Sequence, residues 1–129
     1  MKKKYLIVIA DYYQDITRGL LDSALKLIPK SNTIKIIRVP GAFEIPVTIS
    51  KNIKKYDGFL ALGCIIKGQT PHFDFISQAS TSAMMELSII NKKPIGNGII
   101  TCLNMRQAKT RKKKGTEAAK AVISVLSQK

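Results

Sequence analysis

Four mostly apolar runs alternate with amphipathic segments along the chain. The first run is continuously apolar and rich in Ile and Val, as expected for a strand buried on both faces. The runs predict strands at Tyr5–Ala10, Ile34–Val39, Phe59–Ile66 and Ile95–Thr101. Apolar residues between the runs recur at helical spacing, so the element order is βαβαβα-βαα. This order predicts an α/β fold with a four-stranded parallel sheet flanked by helices on both faces.

The helices are bounded by capping and breaking residues. We predict them at Ile16–Ile28 after an Asp15 N-cap, from Glu44 to about Lys55, from His72 to near Asn91, from the Asn104 cap to about Arg111, and after Gly115. Pro46 is tolerable in the first turn of the second helix. The third helix is expected to bury Phe75, Ile76, Ala79, Ala83, Met84 and Leu87.

Length and composition indicate one domain over residues 1–129, because 45% of the 129 residues are hydrophobic and 23% are charged. No apolar stretch is long enough for a bilayer, and Lys2–Lys4 followed by a short run makes a poor signal peptide. Cys64 and Cys102 lie in or beside apolar runs without metal-ligand spacing. We therefore expect reduced, buried thiols and a cytoplasmic location.

The formal net charge of +14 suggests nucleic acid, a membrane surface or anionic small molecules as partners. Four of the 22 basic residues are arginines, and the lysines are scattered over most of the chain. Base readout and bidentate phosphate binding favour arginine, so this distribution is more typical of a solvated surface.

Candidate chemistry gathers where strands end, which is where open parallel sheets bind ligands. Asp11–Tyr13 follow the first strand and Gly41–Glu44 follow the second. Two aromatic loops beside a carboxylate suit a flat, hydrogen-bonding ring. Ordinary packing at the base of a loop is the alternative for Phe43.

The segment Gly63–Thr70 has the glycine spacing of a P-loop, but Gln69 stands where that motif requires lysine. Nucleoside triphosphate hydrolysis is therefore rejected. Gly68–Thr70 precede a helix, so their backbone amides could bind an anion, or Thr70 could simply cap the helix.

His72, the only histidine, begins the same helix and could move protons beside a bound anion. A surface histidine is the alternative. The run Arg111–Lys114 could clamp a phosphate or could be a solvated helix end that complements the dipole.

Three motifs in order along the chain resemble a known family. They are Val39–Pro46, Leu62–Asp74, and Gln107–Ala119 with its Arg111 and Lys114–Gly115. Together they resemble 6,7-dimethyl-8-ribityllumazine synthase, the penultimate enzyme of riboflavin biosynthesis. The resemblance implies a flavodoxin-like three-layer sandwich. It also implies condensation of 5-amino-6-(D-ribitylamino)uracil with 3,4-dihydroxy-2-butanone 4-phosphate, a transferase reaction without metal or organic cofactor.

Site roles follow from the resemblance by position. His72 would transfer protons, and Gln69, Thr70 and Arg111 would bind the phosphate. The pyrimidine and its ribityl chain would contact Tyr12, Ala42, Phe43, Glu44, Cys64, Ile65, Ile66, Asn97 and Lys114.

Three positions depart from the family pattern. Asp11 stands where Arg is common, Asn97 stands where many members have Phe, and the spacer between Arg111 and Lys114 is several residues shorter. A ring contact at Asn97 would become a hydrogen bond.

For partners, the resemblance implies two small-molecule substrates, functional association with riboflavin synthase, no specific nucleic acid and no membrane. It also implies a homopentamer with active sites shared between neighbouring subunits, and some members form shells of sixty. Asn97 lies about 13 Å from Thr101 at ~3.3 Å per residue, which is easier to explain across a subunit boundary. Self-repulsion favours an isolated pentamer over a shell. The alternative function is a non-catalytic basic module that binds nucleic acid or a phosphorylated metabolite.

Overall fold

The computed structural model describes residues 2–128, and the predicted order of strands and helices is confirmed. The strands are β1 (Lys4–Ala10), β2 (Thr33–Val39), β3 (Gly58–Ile66) and β4 (Ile95–Cys102). The helices are α1 (Gln14–Leu27), α2 (Ile45–Lys51), α3 (His72–Asn91), α4 (Met105–Thr110) and α5 (Lys114–Leu126), and a 3₁₀ turn, Ala42–Glu44, precedes α2.

All four strands are parallel and lie in the order β2-β1-β3-β4. The central strands β1 and β3 are buried along almost their whole length, as their apolar runs predict. Ile7 pairs with Ile36 on one side and with Leu60 on the other. The carboxyl ends of all four strands therefore lie at the same end of the sheet.

Helices cover both faces of the sheet, because alternate strand residues point to opposite sides. Ile7 and Ile9 pack in a core that includes α1 and α5, whereas Leu6 and Val8 pack in a second core with α2 and α3. Burying one such side chain contributes about 1.5–3 kcal/mol. The parallel sheet with helices on both faces confirms the predicted flavodoxin-like three-layer sandwich.

The segment between α4 and α5 is held against α1. Gly115 lies where α5 meets α1, and a Cβ there would run into the Leu20 carbonyl oxygen. The Ser23 hydroxyl donates a hydrogen bond of 3.0 Å to the Lys112 carbonyl, and the Thr116 hydroxyl donates to the Ser23 carbonyl at 3.1 Å. These contacts position the basic run that follows α4.

Three predicted helix boundaries are wrong. The last helix, predicted after Gly115, begins at Lys114, so Gly115 lies inside α5 and is buried there. The first helix begins at Gln14 after Tyr13, so Asp15 is not its N-cap and lies in the first turn, where a carboxylate favours the dipole. The second helix ends at Lys51, not near Lys55. The Asn52 side chain donates to the Thr48 carbonyl at 2.8 Å, and such local bonding competes with helix continuation.

The bounds predicted for α3 are confirmed, and it ends at Lys92 in the left-handed conformation with φ 55°. Its predicted buried side is partly wrong, because Phe75 is 66% exposed and Ala79 is also exposed. Met84 and Ser80 are the buried members of the face that meets the sheet. The helix has apolar residues on two sides, and their spacing does not tell which side packs on the sheet.

None of the helices in residues 2–128 is long and apolar enough to cross a membrane.

Candidate active site

A cavity of about 350 Å³ opens at the carboxyl ends of β1 and β3. We call it the strand-end cavity. Its lining comes from three loops, the end of β3 and the start of α3: Tyr12, Tyr13, Gly41, Ala42, Phe43, Cys64, Ile65, Ile66, Gly68, Thr70, His72, Phe73 and Ile76. The predicted location of the site, beyond the strand ends, therefore contains a cavity of the size that small ligands occupy.

Aromatic rings stand at the rim of the strand-end cavity. Tyr12 is 75% exposed and Phe43 is 69% exposed, so both keep most of their surface available to a ligand. The Tyr12 ring meets the edge of Tyr13 with 4.8 Å between ring centroids. Such exposed faces can stack on a flat heterocycle.

Glu44 shapes the loop that carries Phe43. Its Oε1 accepts a hydrogen bond of 3.0 Å from the Gly41 N–H, and its own N–H donates to the Gly41 carbonyl at 3.2 Å. The pair closes the 3₁₀ turn on itself, as in a capping box. The carboxylate thus belongs to the loop's own hydrogen bonding and is not part of the strand-end lining.

The wall of the cavity is formed by the end of β3. Cys64 and Ile65 are buried, and Ile66 is half-buried. Burial, and then the neighbouring Cys102, raise the pKa of the Cys64 thiol to about 12. A thiol that stays protonated at neutral pH is a poor nucleophile, so Cys64 acts as a wall. The prediction that both cysteines are reduced and buried is confirmed.

The loop before α3 brings a proton-transfer candidate to the cavity. His72 is exposed, begins α3 and lines the strand-end cavity, as does Thr70. The Thr70 hydroxyl accepts a long hydrogen bond of 3.4 Å from the His72 N–H. Gln69 is exposed and does not contribute to this lining. The loop therefore leaves imidazole and free backbone amides at the start of a 20-residue helix.

A second cavity, of about 500 Å³, lies along the outer edge of β4. We call it the edge cavity. It contains three predicted site residues, Asn97, Arg111 and Lys114. Arg111 Nη1 donates to the Thr101 carbonyl at 3.2 Å, and the Lys114 ammonium lies 3.4 Å from a carboxylate oxygen of Glu117. Three cationic side chains, Arg111, Lys113 and Lys114, therefore line this cavity with a single carboxylate, Glu117.

Asn97 already uses its amide oxygen within the chain. That oxygen accepts a hydrogen bond of 3.0 Å from the Ile99 N–H. The amide nitrogen of Asn97 keeps both its donors for a ligand, while the oxygen has one acceptor position left.

Eleven of the thirteen predicted site residues thus fall into two groups in one chain, and Glu44 and Gln69 line neither cavity. Eight line the strand-end cavity: Tyr12, Ala42, Phe43, Cys64, Ile65, Ile66, Thr70 and His72. Three line the edge cavity, namely Asn97, Arg111 and Lys114, so within one chain Arg111 is not in the same lining as Thr70. Sequence reasoning missed Phe73 and Ile76 in the strand-end lining, although their place in the first turns of α3 beside His72 was a usable signal.

Comparison with known proteins assigns the chain to a family. Residues 2–129 match the family described as 6,7-dimethyl-8-ribityllumazine synthase. The chain belongs to this family. It is 38% identical over 143 residues to the 6,7-dimethyl-8-ribityllumazine synthase of Agrobacterium fabrum, covering 100% of this chain and 97% of the relative.

Two further relatives give the same result. The 6,7-dimethyl-8-ribityllumazine synthase of Bartonella henselae is 42% identical over 138 residues, covering 99% of this chain and 89% of its own. The 6,7-dimethyl-8-ribityllumazine synthase 1 of Rhodopseudomonas palustris is 40% identical over 136 residues, covering 95% and 83%. Membership confirms an enzyme, a transferase of riboflavin biosynthesis, and does not favour the non-catalytic basic module.

Proposed function

We propose that this chain condenses 5-amino-6-(D-ribitylamino)uracil with 3,4-dihydroxy-2-butanone 4-phosphate to give 6,7-dimethyl-8-ribityllumazine, phosphate and water. Family membership supports the reaction. The observation that carries it here is the strand-end cavity, in which Tyr12, Phe43 and His72 meet around a space of about 350 Å³. Much of the rate enhancement would come from holding two reactants together, without a cofactor.

The pyrimidine would occupy the strand-end cavity. Its ring would stack on Tyr12, with Ala42 and Phe43 holding the ring and the ribityl chain. Glu44 would support this contact by holding the loop, since its carboxylate already binds the Gly41 N–H. The wall formed by Cys64–Ile66 would supply backbone contacts on the other side of the ring.

His72 would move protons during imine formation and phosphate elimination. It lies at the start of α3, exposed and in the lining of the strand-end cavity. The free amides near Gln69 and Thr70 would bind the phosphate of the second substrate, because helix starts favour anions.

Arg111 would complete that phosphate site from a second copy of the chain. Within one chain it lies in the edge cavity with Asn97 and Lys114, apart from the strand-end lining. If the edge cavity of one subunit faces the strand-end cavity of the next, stacking surface, proton-transfer group and cations come together. This arrangement would give active sites shared between neighbouring subunits of a homopentamer.

The outer side of α3 supports self-association. Phe75, Met85, Ile89 and Ile90 are each at least 60% exposed, and large exposed apolar patches mark interaction surfaces. We favour an isolated pentamer over a shell of sixty, because a formal charge of +14 per chain repels more strongly as copies accumulate. Light scattering at physiological salt distinguishes a monomer, a pentamer and a shell by mass. The cytoplasm is the expected location, and riboflavin synthase is a functional partner that would use the product.

Two assays test the proposal. Incubation with both substrates should produce the fluorescent lumazine, and its absence would contradict the reaction. Mixing refolded His72→Ala and Arg111→Ala chains should restore up to about a quarter of the wild-type activity, since random mixing leaves that share of shared sites intact. No recovery would place both residues in the same subunit's site.

A further inference from the structure

The amino ends of the four strands carry a second chemical signature. In a parallel sheet the segments that precede the strands all lie at the same end of the sheet. This amino end is opposite the carboxyl end that holds the strand-end cavity. In this chain each of those segments contains lysines, and residues 2–4, 26–30, 51–55 and 92–93 hold ten lysines and no carboxylate. We call these four segments the basic face. More than half of the 18 lysines therefore lie at one end of the molecule.

Hydrogen bonds fix these segments to one another or to the residues that directly follow them before the next strand. The Lys3 N–H donates to the Asn32 side-chain oxygen at 2.9 Å, and the Lys4 N–H donates to Asp57 at 2.8 Å. The Lys93 ammonium donates to the Ile53 carbonyl at 2.7 Å. With strands about 4.8 Å apart, the four segments extend across roughly 14 Å.

The charge of the basic face is almost uncompensated. Among residues 2–128 the two ion pairs are Arg38 with Asp11 and Lys114 with Glu117, and both lie outside the basic face. Asp57, two residues after Lys55, is a nearby carboxylate, and it accepts the Lys4 N–H. Eight of the ten lysines are classed as exposed, and Lys3 and Lys93 are half-buried.

Stabilisation of helix ends explains only part of this pattern. Lys26 and Lys51 lie in the last turns of α1 and α2, where cations interact favourably with the dipole. Residues 2–4 and the pair Lys54–Lys55 lie outside any helix. These five lysines repel one another and gain nothing from a dipole, so an external anion is the group that would offset their charge.

We propose that the basic face binds the phosphodiester backbone of nucleic acid without sequence preference. A nucleic acid presents one charge every few ångströms, which a surface of point charges over roughly 14 Å can follow. Lysine suits such contacts because it demands no bidentate geometry. All four arginines lie outside the basic face, and so do the exposed aromatic rings, so the surface lacks groups that read or stack bases.

A membrane surface fits these observations less well. Within the four segments of the basic face, all of which the structure describes, Leu27 is the one large apolar side chain that is exposed, at 39%. Lipid binding by a folded surface gains from apolar groups that enter the interface. The proposal does not depend on the reaction proposed above, since the basic face and the strand-end cavity lie at opposite ends of the sheet.

The test is fluorescence anisotropy with labelled single-stranded RNA of about 20 nucleotides and unrelated sequences. The test variant combines Lys2→Gln, Lys30→Gln, Lys54→Gln and Lys55→Gln. The matched control combines Lys35→Gln, Arg106→Gln, Lys109→Gln and Lys120→Gln, which removes the same charge from exposed positions elsewhere.

We expect the test variant to bind about tenfold or more weakly at low salt, with a shallower dependence on log salt, and the control to change less than about threefold. Both variants should form lumazine at the wild-type rate if the wild type forms it. Equal losses in both variants would overturn the proposal, because the total charge would then account for binding. A strong preference for one RNA sequence would overturn it too.

Two further measurements keep the test independent of the variants' folding. In the wild type, RNA should protect the lysines of the basic face from acetylation more than Lys35, Lys109 and Lys120. Equal protection would contradict the proposal. Vesicles with about 30% phosphatidylserine provide the membrane arm, and stronger binding to them than to RNA at equal salt would show that the face is a membrane surface instead.

Discussion

The strand-end cavity and the edge cavity are built from opposite kinds of residue. The first offers exposed aromatic rings, an apolar wall and one imidazole, whereas the second offers Arg111, Lys114 and an amide donor on Asn97. Neither cavity has both a stacking surface and a cluster of cations. A phosphorylated substrate and a heterocycle that must react together need both, so one chain carries two incomplete parts of a site.

The position of β4 explains this separation. It is an edge strand, and residues that point outward from it or follow its end face away from the central strands. The strand-end cavity is formed where central strands β1 and β3 end. Family membership indicates the reaction, and the geometry suggests why a second copy would be required for it.

The largest expected effect comes from the edge cavity. Arg111→Ala should raise KM for the phosphate substrate by about a hundredfold, because a desolvated charge contact contributes about 2–5 kcal/mol. Arg111→Lys should recover only part of this loss, since lysine lacks the bidentate fork. Steady-state kinetics with each substrate varied in turn provide the measurement. Equal weakening of both substrates would show that Arg111 supports the fold through its contact with Thr101.

The next effect belongs to the strand-end cavity. His72→Ala should lower kcat by about tenfold or somewhat more, below the range of ~10²–10⁴ typical of general acid–base catalysis. The loss is partial because imine formation proceeds when the reactants are held together. Thermal unfolding should be unchanged, since the side chain is exposed. Unchanged turnover with saturating substrates would remove His72 from the mechanism.

A smaller effect should show that the strand-end cavity binds the pyrimidine and not the phosphate substrate. Glu44→Ala removes the acceptor for the Gly41 N–H, which contributes about 1.5–3 kcal/mol for a charged hydrogen bond, and loosens the loop that carries Phe43. KM for the pyrimidine should rise severalfold while KM for the phosphate substrate stays constant. Glu44→Gln keeps an acceptor and should behave nearly as the wild type. A rise for the phosphate substrate alone would contradict this division.

The last effect concerns stability and not activity, at the Cys64 wall of the strand-end cavity at alkaline pH. Burial raises the pKa of Cys64 from 9.0 to about 12, so the unfolded chain loses this proton at lower pH than the folded chain. This contribution to stability is complete below about pH 9 and is lost as pH rises towards 12. Denaturant midpoints should therefore fall between pH 8 and pH 10.5. Cys64→Ala should show a shallower fall, and an identical fall would assign the effect to other groups.

Much of the fold follows from local pattern. The apolar runs of β1 and β3 predicted central strands because burial on both faces requires apolar residues at every position. The start of α3 at His72 and its end near Asn91 were predicted, since His72 follows a proline and Lys92–Pro94 stop the helix. The end of α2 was missed because Ile53 continues the helical spacing, although Asn52 bonds locally and ends the helix.

The sequence by itself determined the strands, the parallel sheet, the family and the list of candidate site residues. Each of these depends on residue type, spacing or motif, which are properties of the chain read in order. Only the tertiary structure decided that Arg111 lies in the edge cavity, away from Thr70, and that Phe75 faces solvent while Met84 faces the sheet. These outcomes depend on strand order and on which helix side meets the sheet, because both bring together residues far apart in sequence.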